Sequence, residues 1–199
     1  MACLGLDMEA RSSAVRIEQI RQRLAARRPR QIEDPAHRLA GVLVPLYESN
    51  GQIFVLLTKR TDRVATHKGQ ISFPGGAVEP IDRDALDAAL RETWEEVGIA
   101  SDDVELLGQL DDVPTVVSGF VIRPFVGRVP HPYELRIAPE EIGEVVRVPL
   151  AFFIKDRNLR LEWRERGVER HPVYFYDFGP HVIWGATARI VRDLVELVR

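Results

Sequence analysis

The stretch from residue 52 to residue 98 leaves few possible folds, because it places a strand, a glycine loop and a helix in one order. QIFVLLTKR has the apolar and β-branched run typical of a strand, and GQISFPGG reads as a short strand that ends in a Pro-Gly-Gly loop. From Asp84 to Val97 apolar residues recur at helical spacing, and Gly98 is well placed to end the helix. The sequence therefore predicts a strand, a loop and a long helix in succession.

Three glutamates, Glu92, Glu95 and Glu96, lie within five positions of this helix. Side chains at i, i+3 and i+4 share one helix face, so the three carboxylates are expected to lie close together. A face exposed to water is the commoner explanation of such a pattern. The preceding loop favours a second explanation, since Gly75 and Gly76 allow an anionic ligand to approach the backbone closely.

Carboxylates on a rigid helix that faces a glycine loop suit a hard cation with oxygen ligands, and Mg²⁺ or Mn²⁺ would be the first choices. Arg91 lies roughly 100° round the helix from Glu92, where it can brace the loop or the neighbouring carboxylates. The pattern thus allows a metal site, and further sequence features must decide between it and a solvated face.

Strands dominate the rest of the chain. RLAGVLVPLY precedes QIFVLLTKR across the turn residues ESNG, which predicts a hairpin. Further predicted strands are VELLGQLDD, TVVSGFVIRPFVGRV, EVVRVPL, NLRLEWRER and VERHPVYFYDFG, and AFFIKD is a predicted helical turn. WGATARIVRDLVELV closes the chain as an amphipathic helix.

The order of these elements predicts an α/β (α+β) fold, in which a mixed β-sheet is covered on its faces by helices. Residues from about 13 to 28 place Val15, Ile17, Ile20 and Leu24 at roughly helical spacing, with Pro29 as a stop. We expect residues 1–37 to form an N-terminal helix and lead-in packed on the domain, and residues 38–199 to form a single domain.

Composition argues against several classes of protein. The 199 residues are 45% hydrophobic, which is enough to build a core without disulfides, and Cys3 is the only cysteine. A net charge of -3 argues against a protein that mainly binds nucleic acid. The chain shows neither a signal peptide nor an apolar run of membrane-spanning length. We therefore expect a soluble cytoplasmic protein with no nucleic-acid or membrane partner.

The glutamate spacing resembles the Nudix box, whose usual form is G-x5-E-x7-R-E-U-x-E-E-x-G-U, with U a bulky apolar residue. The matching residues are Gly76, Asp82, Arg91, Glu92, Glu95, Glu96, Gly98 and Ile99. Asp82 stands where the pattern has glutamate, one extra residue precedes Arg91, and Thr93 is not bulky and apolar. Either Glu79 or Asp82 could supply the loop carboxylate. The resemblance implies the Nudix fold, a mixed sheet sandwiched between helices.

Residues 56 to 76, LLTKRTDRVATHKGQISFPGG, are similar to the signature L-L-T-x-R-[SA]-x3-R-x3-G-x3-F-P-G-G of the coenzyme A pyrophosphatase branch of that family. Thr61 stands where Ser or Ala is usual, and Ala65 where arginine is usual, with Arg63 nearby. The extra residue in the box also recurs in this branch. The resemblance spans roughly residues 38 to 195.

The resemblance implies roles for particular residues. Glu92, Glu95 and Glu96 would hold Mg²⁺ or Mn²⁺, and Arg91 would join them in the catalytic set. The general base would be Glu92 or a carboxylate from a downstream loop. In APEEIGEVV, Glu141 and Glu144 lie i, i+3 in a predicted helical turn, and Asp111 with Asp112 form a further candidate pair.

Coenzyme A carries a diphosphate and a 3′-phosphate, so its site needs cations besides the metal. Arg60, Arg63, His67 and Lys68 precede the glycine loop and could supply them, although His67 has no visible partner. We expect Arg60, Arg63 and Lys68, with the backbone of Gly75 and Gly76, to bind the substrate.

The implied reaction is metal-dependent hydrolysis of the diphosphate of coenzyme A or acyl-CoA, giving adenosine 3′,5′-bisphosphate and (acyl-)4′-phosphopantetheine. One alternative is a Nudix hydrolase of ADP-ribose or another nucleoside diphosphate derivative. Another is a Nudix-fold module that binds a nucleotide without hydrolysis. The sequence leaves the oligomeric state open, with a homodimer as one option.

Overall fold

The computed structural model describes residues 15–62, 69–115, 118–166 and 169–199. The helices in these ranges are α1 (Ile17–Ala25), α2 (Ala85–Val97), α3 (Leu150–Ile154) and α4 (Gly185–Val198). The strands are β1 (Arg38–Ser49), β2 (Gln52–Arg60), β3 (Ile71–Ser72), β4 (Gly75–Ala77), β5 (Glu105–Gln109), β6 (Val113–Pro114), β7 (Phe120–Arg128), β8 (Ile142–Pro149), β9 (Leu159–Arg166), β10 (Glu169–Phe178) and β11 (His181–Trp184). Short 3₁₀ turns lie at Ser101–Asp103 and Asp156–Asn158.

The first eight strands form one mixed sheet. Its main order is β3-β2-β1-β7-β5, while β4 pairs with β1, β6 with β7 and β8 with β2. Strands β1 and β7 run parallel, and the other pairs are antiparallel. The last three strands form a second, antiparallel sheet in the order β11-β10-β9.

Helices cover both faces of the mixed sheet. On one face Ala85 and Ala89 of α2 pack against Leu43 and Phe125. On the other face α1, α4 and the second sheet share one large apolar core with the opposite side chains of β1 and β2. Side chains alternate along a strand, so each strand serves both layers. The predicted mixed sheet between helices is confirmed.

Helix α2 begins and ends at residues suited to those positions. The Asp84 side chain accepts hydrogen bonds from the backbone N–H groups of Leu86 and Asp87, both at 2.9 Å. Gly98 ends the helix in the left-handed conformation, with a φ of 73°. A Cβ on Gly41 would lie 1.8 Å from the carbonyl oxygen of Ala85, so glycine there allows the helix to approach β1 closely.

The structure differs from the sequence prediction at several places. Helix α1 ends at Ala25, before the predicted 28, because the following chain is drawn into contact with Asp111 through the side chain of Arg27 and the backbone N–H of Arg30. Strand β11 was not predicted, since four residues after a turn carry little pattern without their partner β10. Residues 142–149 form β8, which contains most of the predicted strand EVVRVPL. The helical turn predicted for Glu141 and Glu144 closes at Ile142, whose backbone N–H donates to the Ala138 carbonyl at 2.8 Å, so Glu144 lies beyond it in the strand.

Candidate active site

The glycine loop packs between β1 and helix α2. Gly76 lies opposite Gly41 in the pair of β1 and β4. A Cβ on Gly76 would lie 2.5 Å from Cδ of Glu92, so the Glu92 carboxylate occupies the space that a side chain would need. A Cβ on Gly75 would lie 2.3 Å from the carbonyl oxygen of Gly41. These glycines therefore let the loop pack closely, and their contact with substrate stays a prediction.

Arg91 links the loop to the glutamates of the helix. Its Nε and one terminal nitrogen donate to the two carboxylate oxygens of Asp82, at 2.8 and 3.1 Å. Its other terminal nitrogen donates to Glu92 at 2.9 Å and to Glu95 at 3.0 Å. The guanidinium holds the pKa of Asp82 below its usual range. Asp82 thus occupies the place of the loop carboxylate, while the Glu79 side chain is exposed.

Glu96 is the most deeply buried of the three glutamates. Its side chain is 3% exposed, and its Oε1 lies 3.5 Å from a terminal nitrogen of Arg60. Its Oε2 is buried and has no hydrogen-bond partner. Burial raises the pKa of Glu96 to about 8, and the charges of Glu92 and Glu141 act in the same direction against Arg60. Burial also raises the pKa of Glu92, although Arg91 opposes the shift.

Arg60 brings Glu141 to the same site. Its second terminal nitrogen lies 3.6 Å from Glu141, so the guanidinium lies between that carboxylate and Glu96. The turn that carries Glu141 is attached to the end of β2, since the backbone N–H of Thr61 donates to the Glu141 carbonyl and the Thr61 hydroxyl to the Glu140 carbonyl, both at 2.8 Å. Thr61, which departs from the signature, therefore helps to position a candidate base.

The structure does not bring Glu144 to this site. Glu144 pairs in register with Lys59, and the neighbouring Arg60 points to the face that carries α2. The Glu144 carboxylate lies 3.1 Å from Nε2 of His181, on the second sheet. The prediction of Glu144 as a catalytic base is therefore wrong, because alternation along β8 turns its side chain to the opposite face of the mixed sheet.

Asp111 and Asp112 also lie elsewhere. Asp111 accepts hydrogen bonds from the side chain of Arg27 and the backbone of Arg30. Asp112 is 2% exposed and accepts two hydrogen bonds from Arg123, at 3.0 and 2.8 Å. Both carboxylates attach the lead-in before β1 to the sheet, so their sequence interpretation as a candidate base pair is wrong.

Arg60 is the candidate cation that the described part of the chain contains. Arg63, His67 and Lys68 lie outside the described residues. Of that set, the structure describes Arg60, which is paired with Glu96 and Glu141. Sequence reasoning had not joined Arg60 to these two glutamates. No local signal indicates the contact, because it depends on the register between β2 and β8 and on how α2 packs against them.

The carboxylates at this site have the donor types, but not the spacing, that a divalent metal ion requires. In the described part of the chain no three Asp, Glu, His or Cys side chains converge closely enough to hold one as they stand. The donor types nevertheless fit Mg²⁺ or Mn²⁺, because Glu92, Glu95 and Glu96 offer carboxylate oxygens. The buried Oε2 of Glu96 without a partner is the strongest sign of fit, since a nearby cation would stabilise a charge that burial disfavours.

A glycine loop followed by a helix that carries three glutamates, one of them buried, on a mixed sheet between helices, is the arrangement that defines the class of Nudix hydrolases. The model of the NUDIX domain matches residues 37–170, and the chain belongs to this family. Two relatives carry the name uncharacterized Nudix hydrolase NudL. The one from Photorhabdus laumondii is 36% identical over 172 residues, which cover 86% of this chain and 90% of the relative. The one from Escherichia coli K12 is 38% identical over 159 residues, covering 79% and 81%.

A solved structure supports the fold alone. The MutT/nudix family protein from Enterococcus faecalis superimposes with a TM-score of 0.55 at 16% sequence identity, covering 100% of this chain and 75% of that one. The family match and the two relatives show that the chain is an enzyme, a Nudix hydrolase acting on nucleoside diphosphate derivatives. Members of this family generally use divalent metal ions such as Mg²⁺ or Mn²⁺. Within the described ranges, every helix is too short or too polar to cross a membrane.

Proposed function

We propose that the enzyme hydrolyses the diphosphate bond of coenzyme A or acyl-CoA, releasing adenosine 3′,5′-bisphosphate and 4′-phosphopantetheine or its acylated form. The observation that carries this proposal is the contact of Arg60 with Glu96 at 3.5 Å. Arg60 belongs to the run of residues 56 to 76 that resembles the coenzyme A signature, and Glu96 belongs to the glutamate helix. The specificity motif and the candidate metal site therefore meet in one place.

Glu92, Glu95 and Glu96 would hold the metal ion, which when bound would neutralise charge on the diphosphate and lower the pKa of the attacking water. Arg91 would keep Glu92 and Glu95 in place, and Asp82 would orient Arg91 through its two hydrogen bonds. The Arg60 guanidinium, which lies beside Glu96 and Glu141, would donate to a phosphate oxygen of the bound substrate.

A proton acceptor is needed when water adds to phosphorus and the bond between phosphorus and the bridging oxygen breaks. Glu92 and Glu141 are the two candidates that lie at the site, and burial raises the pKa of Glu92. Glu144 is no longer a candidate, because its carboxylate faces His181.

The experiment is product identification. Purified protein is incubated with Mg²⁺ or Mn²⁺ and, in separate reactions, with coenzyme A, dephospho-CoA and ADP-ribose, and the products are identified by mass spectrometry. We expect 4′-phosphopantetheine and adenosine 3′,5′-bisphosphate from coenzyme A, with the highest kcat/KM of the three substrates. A clear preference for ADP-ribose, which the departures at Thr61 and Ala65 would favour, would replace coenzyme A as the substrate.

A further inference from the structure

The outermost strand of the second sheet has a free edge. In the described chain β9 pairs with β10 alone, so its other edge leaves backbone N–H and C=O groups without strand partners. The strand is eight residues long, LRLEWRER, and contains neither glycine nor proline. Long regular edges of this kind readily pair with another chain unless charges, bulges or proline block them.

Large apolar side chains are exposed on this strand. Leu161 is 45% exposed and Trp163 is 54% exposed. They lie on the same face as Leu159, which packs against the core beside the buried Tyr176. The apolar row of β9 therefore begins in the core and continues past it into solvent. Exposed apolar side chains beside a free edge favour contact with another protein.

The opposite face of β9 carries charges that alternate in sign. Arg160, Glu162 and Arg164 follow one another at every second position. Arg160 hydrogen-bonds Glu162, and Arg164 lies 3.9 Å from the other oxygen of that carboxylate. The two guanidinium groups lie over the ring of Phe175, at 4.3 and 5.8 Å from its centre. Charges on an edge strand disfavour pairing with most other chains. Because these charges alternate in sign, an antiparallel copy of the same strand can place opposite charges beside them.

We propose that two copies of the chain pair antiparallel through β9, about a two-fold axis, and join their second sheets into one of six strands. In such a two-fold pair, odd-numbered residues of β9 lie opposite odd-numbered residues of the other copy, and even-numbered residues opposite even-numbered ones. The apolar row therefore lies beside the other copy's apolar row, and the charged row beside its charged row. An axis at Leu161 sets Arg160 against the other copy's Glu162, and Leu159 against its Trp163. An axis at Trp163 sets Glu162 against the other copy's Arg164. Opposite charges and apolar pairs across strands are both favourable.

The test is the mass of the intact protein in solution, measured by size-exclusion chromatography with light scattering over a concentration series. We expect twice the mass of one chain for the natural sequence. Glu162→Arg would set like charges against each other in both arrangements, so the dissociation constant should rise at least about tenfold. Glu196→Arg, at an exposed glutamate of α4, is the matched control and should leave the mass unchanged.

Reversing a second charge distinguishes the two axes. Arg160→Glu combined with Glu162→Arg restores the dimer if the axis lies at Leu161, and Arg164→Glu combined with Glu162→Arg restores it if the axis lies at Trp163. Circular dichroism of each variant checks that the sheet remains folded. A natural protein with the mass of one chain throughout, a dimer unaffected by Glu162→Arg, or failure of both double variants to restore the dimer would overturn the proposal.

Discussion

Glu96 is a glutamate whose burial strongly disfavours the ionised form of its carboxylate. It is 3% exposed, its Oε2 has no hydrogen bond, and its pKa is raised to about 8. Such a group is costly even with Arg60 at 3.5 Å from its other oxygen, because the ionised form loses its hydration. The position of Glu96 beside Glu92 is explained if its carboxylate coordinates a metal ion.

Glu96→Gln should reduce turnover of the diphosphate substrate at least about 100-fold, a loss typical of removing a charge that stabilises the transition state. The fold should be retained, since glutamine has the same shape and no charge to desolvate. Thermal denaturation with and without Mn²⁺ gives an independent measurement, in which the variant should lose the metal-dependent rise in Tm. Glu196→Gln, on the surface of α4, should behave like the natural protein; full activity of Glu96→Gln would contradict the ligand assignment.

Gly76→Ala tests the contact between loop and helix at the scale of one methyl group. The new Cβ would lie 2.5 Å from Cδ and Oε1 of Glu92, which can move because they end a side chain. The free energy of unfolding should therefore change by less than about 1 kcal/mol, whereas displacement of Glu92 should lower kcat by about 10- to 100-fold. Urea denaturation and steady-state kinetics measure the two effects. Gly143→Ala is the control, since its nearest contact would be an ordinary 3.6 Å.

At the scale of elements, the position of α2 over the sheet depends on close backbone contact. Gly41 in β1 faces the first turn of α2, and an added Cβ would lie 1.8 Å from the carbonyl oxygen of Ala85. This oxygen belongs to the backbone, so the helix itself would have to move. The glutamates would move with it, because they are held on the same rigid helix.

Gly41→Ala should thus lower the free energy of unfolding by about 3 kcal/mol or more, at the upper end of the usual cost of overpacking. Activity should fall together with stability. Urea denaturation checks the first effect and kcat the second, again against Gly143→Ala. A variant with natural stability and activity would show that α2 does not depend on this approach.

At the scale of the whole molecule, the lead-in before β1 is joined to the sheet by buried charge. Asp112 accepts hydrogen bonds from Arg123 and from the backbone N–H of Ile32 at 2.9 Å, and its own N–H donates to the Arg30 carbonyl. Helix α1 adds Ile20 and Leu24 to the main core. We propose that residues 38–199 form the hydrolase domain and that residues 1–37 are a lead-in, whose described part from residue 15 onward packs on the domain.

Asp112→Ala should lower the free energy of unfolding by about 3–5 kcal/mol, because it leaves the partly buried Arg123 without its partner. Asp112 lies outside the candidate site, so kcat measured well below the melting temperature should stay unchanged. Glu196→Ala removes an exposed partner of Arg192 and should cost less than about 1 kcal/mol. A large loss of kcat in the folded Asp112→Ala protein would contradict this division between fold and site.

The elements and the glutamate helix were predictable because their signals are local. Apolar spacing, the capping residue Asp84 and the closing Gly98 all act within a few residues of the helix they define. The same locality explains the errors, since β11 exists through pairing with β10, and the face to which Glu144 turns depends on the register of β8 with β2. A pattern within one segment contains no information about its partner strand.

The sequence by itself determined the class of fold, the family resemblance and the helix that presents Glu92, Glu95 and Glu96 on one face. The tertiary structure alone decided which distant groups join them. It brought Glu141 to Arg60, turned Glu144 away to His181 and placed Asp82 on Arg91. The physical reason is that side chains alternate along a strand, so a change of one position moves a carboxylate to the opposite face of the sheet.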